Sequence, residues 1–192
     1  MPTRRYGLTL LIAALAALAA CTRSAGQDAR GAATTAPAGQ RAPASTMTVT
    51  SAAFASGAAI PVRYTCKGDN LSPPLRWSAP PAGTSEQALV VDDPDAPGGT
   101  FVHWVLAGIP ARQTELAENA VPSGARQARN SAGGSGYTGP CPPSGPAHHY
   151  RFTVYALGRS PGVEEGADPQ RAIAAVQAAA TAQGQLVGTF QT

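Results

Sequence analysis

Hydrophobic positions change period several times along the chain, and each change marks an expected element. Leu8 to Ala20 is an unbroken run without charge behind Arg4 and Arg5. At about 1.5 Å per residue it is too short to cross about 30 Å of hydrocarbon, so it reads as a secretory signal and not a permanent span. Residues 22–46 then hold no aliphatic side chain larger than alanine and no aromatic, so burial cannot offset the entropy of ordering them. They are expected to be a flexible tether. From Met47 the pattern turns strand-like: Met47 to Ser51 alternates, Phe54 and Ile60-Pro61-Val62 follow, and Arg63 to Cys66 leads into the turn Lys67-Gly68-Asp69-Asn70. Ser72 to Trp77 reads as an extended edge, because Pro73 and Pro74 cannot donate to a ladder. Gln87–Val91, Phe101–Ile109 and Tyr150–Leu157 are the strong strands, the last alternating Arg151, Thr153 and Tyr155 against Phe152 and Val154. Residues 111–147 lack a sustained period and concentrate Gly and Pro, as long functional or disordered segments do. Asp168 with Pro169 opens a helix that runs through Ile173, Val176 and Ala180 to a stop near Gly184. Leu186–Phe190 is a last strand. The pattern predicts a mainly β, α+β domain with one helix near the C-terminus.

Composition narrows this further. Of 192 residues, those from 47 onward suffice for one domain. Gly (21) and Pro (18) are plentiful while charged residues make up 13%, which excludes coiled coils and long helical bundles. The formal charge of +3 is misleading: five of the 14 basic residues and one of the 11 acids precede residue 47, which leaves nine basic against ten acidic side chains. A near-neutral domain offers no footprint for a phosphate backbone, so nucleic acid is not an expected partner.

Leu18-Ala19-Ala20-Cys21 resembles the bacterial lipobox, in which small residues precede a cysteine that is lipidated before cleavage. The alternative is an ordinary cleavage site with an incidental cysteine. The first reading divides the chain into a signal peptide over 1–20, lipidated Cys21 with its tether over 21–46, and a domain over 47–192. A lipid anchor would place the protein in the bacterial cell envelope, with the membrane as partner. Thr22, not an acid, resembles the outer-membrane sorting pattern, and the tether would hold the domain about 25–30 Å from the bilayer, facing the periplasm or the surface. In that oxidising compartment Cys66 and Cys141, which lie in no zinc-type spacing, are expected to form a disulfide, the alternative being two free buried thiols.

All three histidines, His103, His148 and His149, stand at strand starts beside Pro/Gly-rich loops, one set following Asp92-Asp93-Pro94-Asp95-Ala96-Pro97-Gly98-Gly99 and the other Gly139-Pro140-Cys141-Pro142-Pro143. Stiff loops at neighbouring strand ends imply a mouth where imidazoles and carboxylates converge.

Tyr64 to Leu75 with Trp77, Asp92 to Pro97, Phe101-Val102-His103-Trp104-Val105, Gly136 to Pro143, His148-His149-Tyr150-Arg151-Phe152 and Leu186 to Phe190 resemble, in order, the phosphatidylethanolamine-binding protein (PEBP) family, and its bacterial Raf kinase inhibitor-like branch above all. The resemblance implies a large antiparallel sheet packed on a smaller one with peripheral helices. It also implies an anion pocket of Asp93, the Ala96–Pro97 peptide (cis in the family), His103, Gly139, Pro140, His148 and Tyr150. Such a pocket takes a phosphate-like anion, a phospholipid headgroup or a small metabolite, without cofactor or catalysis; relatives inhibit a kinase or a protease, so the resemblance also implies a Raf kinase inhibitor-like or protease-inhibitor-type modulator, whose partner for an exported chain would be an envelope or extracellular protein. Trp77 and Trp104 are candidates for its walls. Three positions depart from the family pattern: His149 in place of arginine, Asn130-Ser131 in place of Asn-Asp, and Phe190 where tyrosine is frequent. Two other readings use the same residues. Asp93, His103 and His148 could hold a metal, and Ser144 with His148 and Asp93 could be drawn as a hydrolytic triad, although Pro142-Pro143-Ser144-Gly145-Pro146 lacks a nucleophile elbow.

Overall fold

A computed structural model describes residues 45–192. The expected signal segment, Cys21 and the tether lie outside the described residues except at the tether's end, where Ser45–Thr46 forms strand β1. The remaining elements are β2 (Val49–Thr50), a 3-10 turn over Val62–Tyr64, β3 (Leu75–Trp77), β4 (Glu86–Asp93), β5 (Phe101–Pro110), β6 (Glu115–Leu116), β7 (Arg126–Gln127), β8 (His148–Leu157), helix α1 (Pro169–Ala179) and β9 (Ala180–Phe190). They build a six-stranded sheet in the order β1-β9-β8-β4-β5-β7 and a three-stranded sheet β2-β3-β6. Among these strands every pairing is antiparallel except that of β1 with β9. This is the mainly β architecture expected, with its helix near the C-terminus.

The two-residue period of the strands sorts side chains onto two cores. Leu89 and Val91 of β4 join Trp104, Leu106, Phe152, Val154 and Leu186 against Val49, Leu75, Trp77 and Leu116 of the small sheet. Ala88 and Val90 point the other way and pack with Val105, Ala107, Tyr155 and Leu157 against Ala172, Val176 and Ala179 of the helix. Because both faces of the large sheet are covered, its central strands are apolar almost throughout, and each fully buried aliphatic or aromatic side chain contributes about 1.5–3 kcal/mol. Gln87 sits wholly buried between the sheets with its amide satisfied: it accepts from Trp77 Nε1 at 2.8 Å and donates to the carbonyls of Pro110 and Gln113 at 2.9 and 2.8 Å.

The structure corrects several expectations. Arg63–Cys66 does not continue a strand; the segment turns at Val62–Tyr64, with Val62 exposed. Trp77 lies on a central strand of the small sheet and not on an edge, for the two prolines precede the ladder and leave its donors intact. Residues 111–147 are mostly irregular as expected but contribute the two-residue strands β6 and β7. Asp168 does cap the helix, accepting from Arg171 N–H at 3.0 Å. The helix, however, ends at Ala179, and the chain passes without a turn into β9, so Gly184 is a strand residue. Its reason is proximity: a Cβ there would run into the carbonyl group of Met47, the residue after β1.

Gly184→Ala is therefore expected to destabilise the protein by about 1–3 kcal/mol through that clash. Gly134→Ala, whose added methyl meets nothing closer than 3.8 Å, should stay within about 0.5 kcal/mol. Urea midpoints of the two variants check this.

Candidate functional site

The site is laid out by strand direction. Since β4 runs antiparallel to both β5 and β8, its last residues lie beside the first residues of its two neighbours: Asp93 opposes Phe101, and Asp92 opposes Arg151. The ladder between β4 and β5 slips between Val91 and Asp92, pairing Val91 with Trp104 and Asp92 with Val102, so that His103 is the extra residue of a β-bulge. Bulges next to functional sites re-aim a side chain. Here the bulged residue finds its partners outside the sheet. The His103 carbonyl accepts from Thr138 N–H at 3.1 Å, and its Nδ1 lies 2.6 Å from the Thr138 carbonyl oxygen.

Three acid–base contacts fasten the aspartate-rich loop to the start of β8. Asp92 takes Nε and Nη2 of Arg151 in a two-pronged pair at 2.8 and 2.6 Å. Asp93 receives His148 Nδ1 at 2.8 Å on one oxygen and Asp95 N–H at 2.8 Å on the other. Asp95 receives both the backbone N–H and Nδ1 of His149, and these hydrogen bonds hold its carboxyl below the usual carboxylate range. Only the Asp95–His149 contact is well exposed, where such contacts are weak singly, but three in sequence fix the path of the loop.

The opposite wall is held just as closely. Gly139 N–H donates to Asn70 Oδ1 at 2.7 Å, Cys66 N–H to the Pro140 carbonyl at 3.1 Å, and the Tyr137 hydroxyl to the Tyr64 carbonyl at 2.8 Å. A disulfide joins Cys66 to Cys141. Position 139 admits only glycine, because a Cβ would come within 2.6 Å of the Tyr64 carbonyl oxygen and 2.8 Å of Asn70 Oδ1. Asn130 braces a third loop, donating to the Gly136 carbonyl and accepting from Ala132 and Gly134 N–H. Ser131 next to it accepts from Val102 N–H at 2.8 Å, so the hydroxyl fills an acceptor position that a carboxylate would also fill.

Between these walls lies a cavity of about 400 Å³. Asp93, Pro97, His103, Gly139, His148 and Tyr150 all line it, as expected together with Ala96. Pro140 does not line it; that residue is buried behind the wall, with its carbonyl engaged by Cys66. The Ala96–Pro97 peptide is trans, since the described residues contain no cis peptide. His149 stands outside on the rim, and both tryptophans belong to the core. The lining residues that sequence reasoning did not single out are Phe101, Ala132 and Thr138, along with the disulfide as part of the wall; Pro142 and Pro143, expected in the stiff loop at the mouth, line it too. For Phe101 the strand alternation shared with His103 was an available signal; for the loop residues there was none.

The electrostatics are those of a mostly apolar hollow with a few polar groups inside. Burial pushes the His103 imidazole below its ordinary value of 6.5, outweighing the Thr138 carbonyl and the nearby Asp93 and Asp92 that favour its charge. Burial likewise pushes the Tyr150 hydroxyl far up, with Asp93 adding to the effect. The rings of His103 and Tyr150 meet edge-on at 5.2 Å, and that of Phe101 lies 4.8 Å from His103. Tyr150 has no exposed surface, and its hydroxyl, though near the Asp93 carboxylate, makes no well-formed hydrogen bond. A buried orphan of this kind costs about 1–3 kcal/mol unless something enters to satisfy it. The triad geometry is absent: Ser144 is exposed and does not line the cavity. Among the described residues no group of three His, Cys, Asp or Glu side chains is disposed to hold a metal ion.

The family model described as phosphatidylethanolamine-binding protein matches residues 50–191. The chain belongs to this family. Among PEBP relatives, LppC of Mycobacterium tuberculosis is 49% identical over 161 residues, 83% of this chain and 80% of that one. The UPF0098 protein of Methanothermobacter thermautotrophicus is 41% identical over 144 residues, covering 72% of this chain and 95% of its own. The crystal structure of Escherichia coli YbcL, described as a member of the mammalian PEBP family, superposes with a TM-score of 0.73 at 34% identity, covering 76% of this chain and 98% of that one. The PEBP homolog CT736 of Chlamydia trachomatis gives 0.70 at 36% identity, covering 77% and 98%.

Within this PEBP domain the Cys66–Cys141 bond closes a sequence separation of 75 residues, for which chain entropy gives about 4 kcal/mol of stabilisation. A Cys66→Ser, Cys141→Ser double variant is expected to lose roughly that much in equilibrium denaturation. Reductant should weaken the parent protein and leave the variant unmoved.

Proposed function

We propose that the protein is a non-enzymatic binding protein whose cavity receives a compact oxyanion, a phosphate-like group carried by a lipid headgroup or a small metabolite. The single observation that carries this is the Tyr150 hydroxyl: a donor with no exposed surface and no well-formed hydrogen bond within the protein, although Asp93 stands near it, on the wall of a hollow shared with two imidazoles. An oxyanion oxygen is the natural acceptor for it. The cavity is larger than a bare phosphate, and its proline and phenylalanine walls suit the organic part of a ligand, as in pockets where a few polar groups orient an otherwise apolar contact. The relatives' family name, phosphatidylethanolamine-binding, points the same way.

The same proposal places the protein on a membrane surface through lipid at Cys21, in the cell envelope. LppC, whose name proposes it as a lipoprotein, supports this reading, as does the small-residue run ahead of Cys21.

Two measurements test these statements. Titration calorimetry with phosphorylethanolamine should show saturable binding that Tyr150→Phe weakens roughly tenfold or more, the value of a hydrogen bond to a charged group. The same variant should unfold at an equal or higher denaturant concentration, because it removes an unsatisfied buried hydroxyl. Parent-like affinity in the variant, or no heat from the parent at millimolar ligand, would reject the binding reading. For the anchor, Cys21→Ser should abolish incorporation of labelled fatty acid and release the protein from the membrane fraction.

A further inference from the structure

The large sheet has a second end, and its chemistry differs from that of the end with the cavity. Ser45 of β1 pairs with Ala182; beside it Ala180 pairs with Leu157, Leu157 with Glu86 and Glu86 with Pro110. The start of β9, the end of β8, the start of β4 and the end of β5 therefore lie in one row, and the chain enters the domain there. The cavity is at the other end of β9, where Phe190 pairs with His148, about 27 Å away at about 3.4 Å per residue. Three loops leave this row: Ser78–Ser85, Ala111–Thr114 and Gly158–Pro161. The first two frame a shallow hollow of about 490 Å³. From Ala79 to Gly83 the first loop has no polar or charged side chain, yet Ala79, Ala82 and Gly83 are exposed. Pro80 and Pro81 have no N–H, and Thr84 Oγ1 donates to the Pro81 carbonyl at 2.7 Å, so the tip has few backbone groups that would lose water unpaired. Arg112 and Arg159 stand exposed on the other two loops, and among the described residues neither guanidinium has a hydrogen-bond or ion-pair partner. Glu86 is the only carboxylate on these segments; it is half-buried and accepts from Ser160 Oγ at 3.4 Å. The cavity end, in contrast, gathers Asp92, Asp93 and Asp95.

We propose that this end of the domain docks on an anionic bilayer surface, with Arg112 and Arg159 against lipid phosphates and the Ala79–Gly83 loop at the boundary of the headgroups. This rests on lipidation of Cys21, as proposed above. The point of entry decides the occupant: residues 22–44 run from Cys21 to Ser45, so an anchored chain holds this end of the sheet within reach of the bilayer. Two arginines would not retain a free protein, each being worth about fivefold near an anionic surface. A tether makes the second contact intramolecular, at an effective concentration that reaches the millimolar range for short flexible linkers, and there a weak face suffices. The same surface repels the aspartates at the cavity end. In the docked state the mouth of the cavity points away from the membrane that carries the chain.

The test uses the full chain recovered from the membrane fraction and reconstituted on vesicles of phosphatidylcholine, alone or mixed with phosphatidylglycerol. With Cys21 lipidated and Cys66 bonded to Cys141, a cysteine introduced by Ala82→Cys, or at the cavity end by Ser144→Cys, is the free thiol and takes a fluorophore; both positions are exposed. Lipid spin-labelled in its headgroup should quench the label at position 82 about threefold or more over that at position 144 on the mixed vesicles. On phosphatidylcholine alone, or in high salt, which screens exposed charges, the difference should vanish. Arg112→Gln with Arg159→Gln should remove most of it while the chain stays on the vesicles. Equal quenching at the two positions on mixed vesicles, stronger quenching at position 144, or a difference that survives the double arginine substitution would overturn the docking face. Flotation with phosphatidylcholine vesicles depends on the lipid alone. A chain that does not float with them rejects the anchor and the docking with it, whereas one that floats without any positional difference on mixed vesicles rejects the docking only.

Discussion

Everything at the cavity depends on β4 lying antiparallel between β5 and β8. That one arrangement brings the end of a single strand against the beginnings of two others, so residues 10 and 55 positions beyond Asp93 meet it in space. Backbone hydrogen bonds in the ladder do the positioning, and apolar packing on both faces of the sheet holds the ladder rigid. The side chains at the mouth need supply no stability of their own. They are therefore free to be arranged unfavourably, as a buried hydroxyl without a well-formed hydrogen bond is.

The stiffness of the walls has a related origin. Each loop at the mouth is tied to a different neighbour: the aspartate loop to β8 through side-chain hydrogen bonds, the glycine-proline loop to the Tyr64–Asn70 turn through hydrogen bonds and a disulfide, and the asparagine loop to itself and to β5. Independent restraints mean that no single tie sets the shape. A binding group held in place before the ligand arrives loses less entropy on binding, and here the ordering cost falls on folding.

The sequence was legible where its signals were local and repeated. The three apolar strands and the Asp168-Pro169 helix start are short-range patterns, and all four are present. It misled where a signal had two physical meanings. Gly184 resembled a helix stop but makes room for the Met47 carbonyl; Pro73-Pro74 resembled an edge but only delays the start of a central strand. Two-residue strands such as Glu115–Leu116 carry no period to detect. At the site, resemblance located Asp93, His103, His148 and Tyr150, because those side chains belong to strings with a recognisable order. It could not show that Pro140 faces away, nor that the Thr138 carbonyl fixes the hydrogen on His103, since a backbone group leaves no mark on residue identity.

The C-terminal end of the described chain touches the same loop that walls the cavity: Gln191 Nε2 donates to the Gly145 carbonyl at 2.7 Å and Thr192 Oγ1 to the Pro142 carbonyl at 2.9 Å. Helix α1 runs straight into β9 and β9 into this clasp, so residues 169–192 form one continuous stretch with its tip on the lip of the hollow. A fluorophore or peptide attached after Thr192 would sit beside that lip, where it could report occupancy or obstruct it, and the opposite end of the domain is the safer place for a handle.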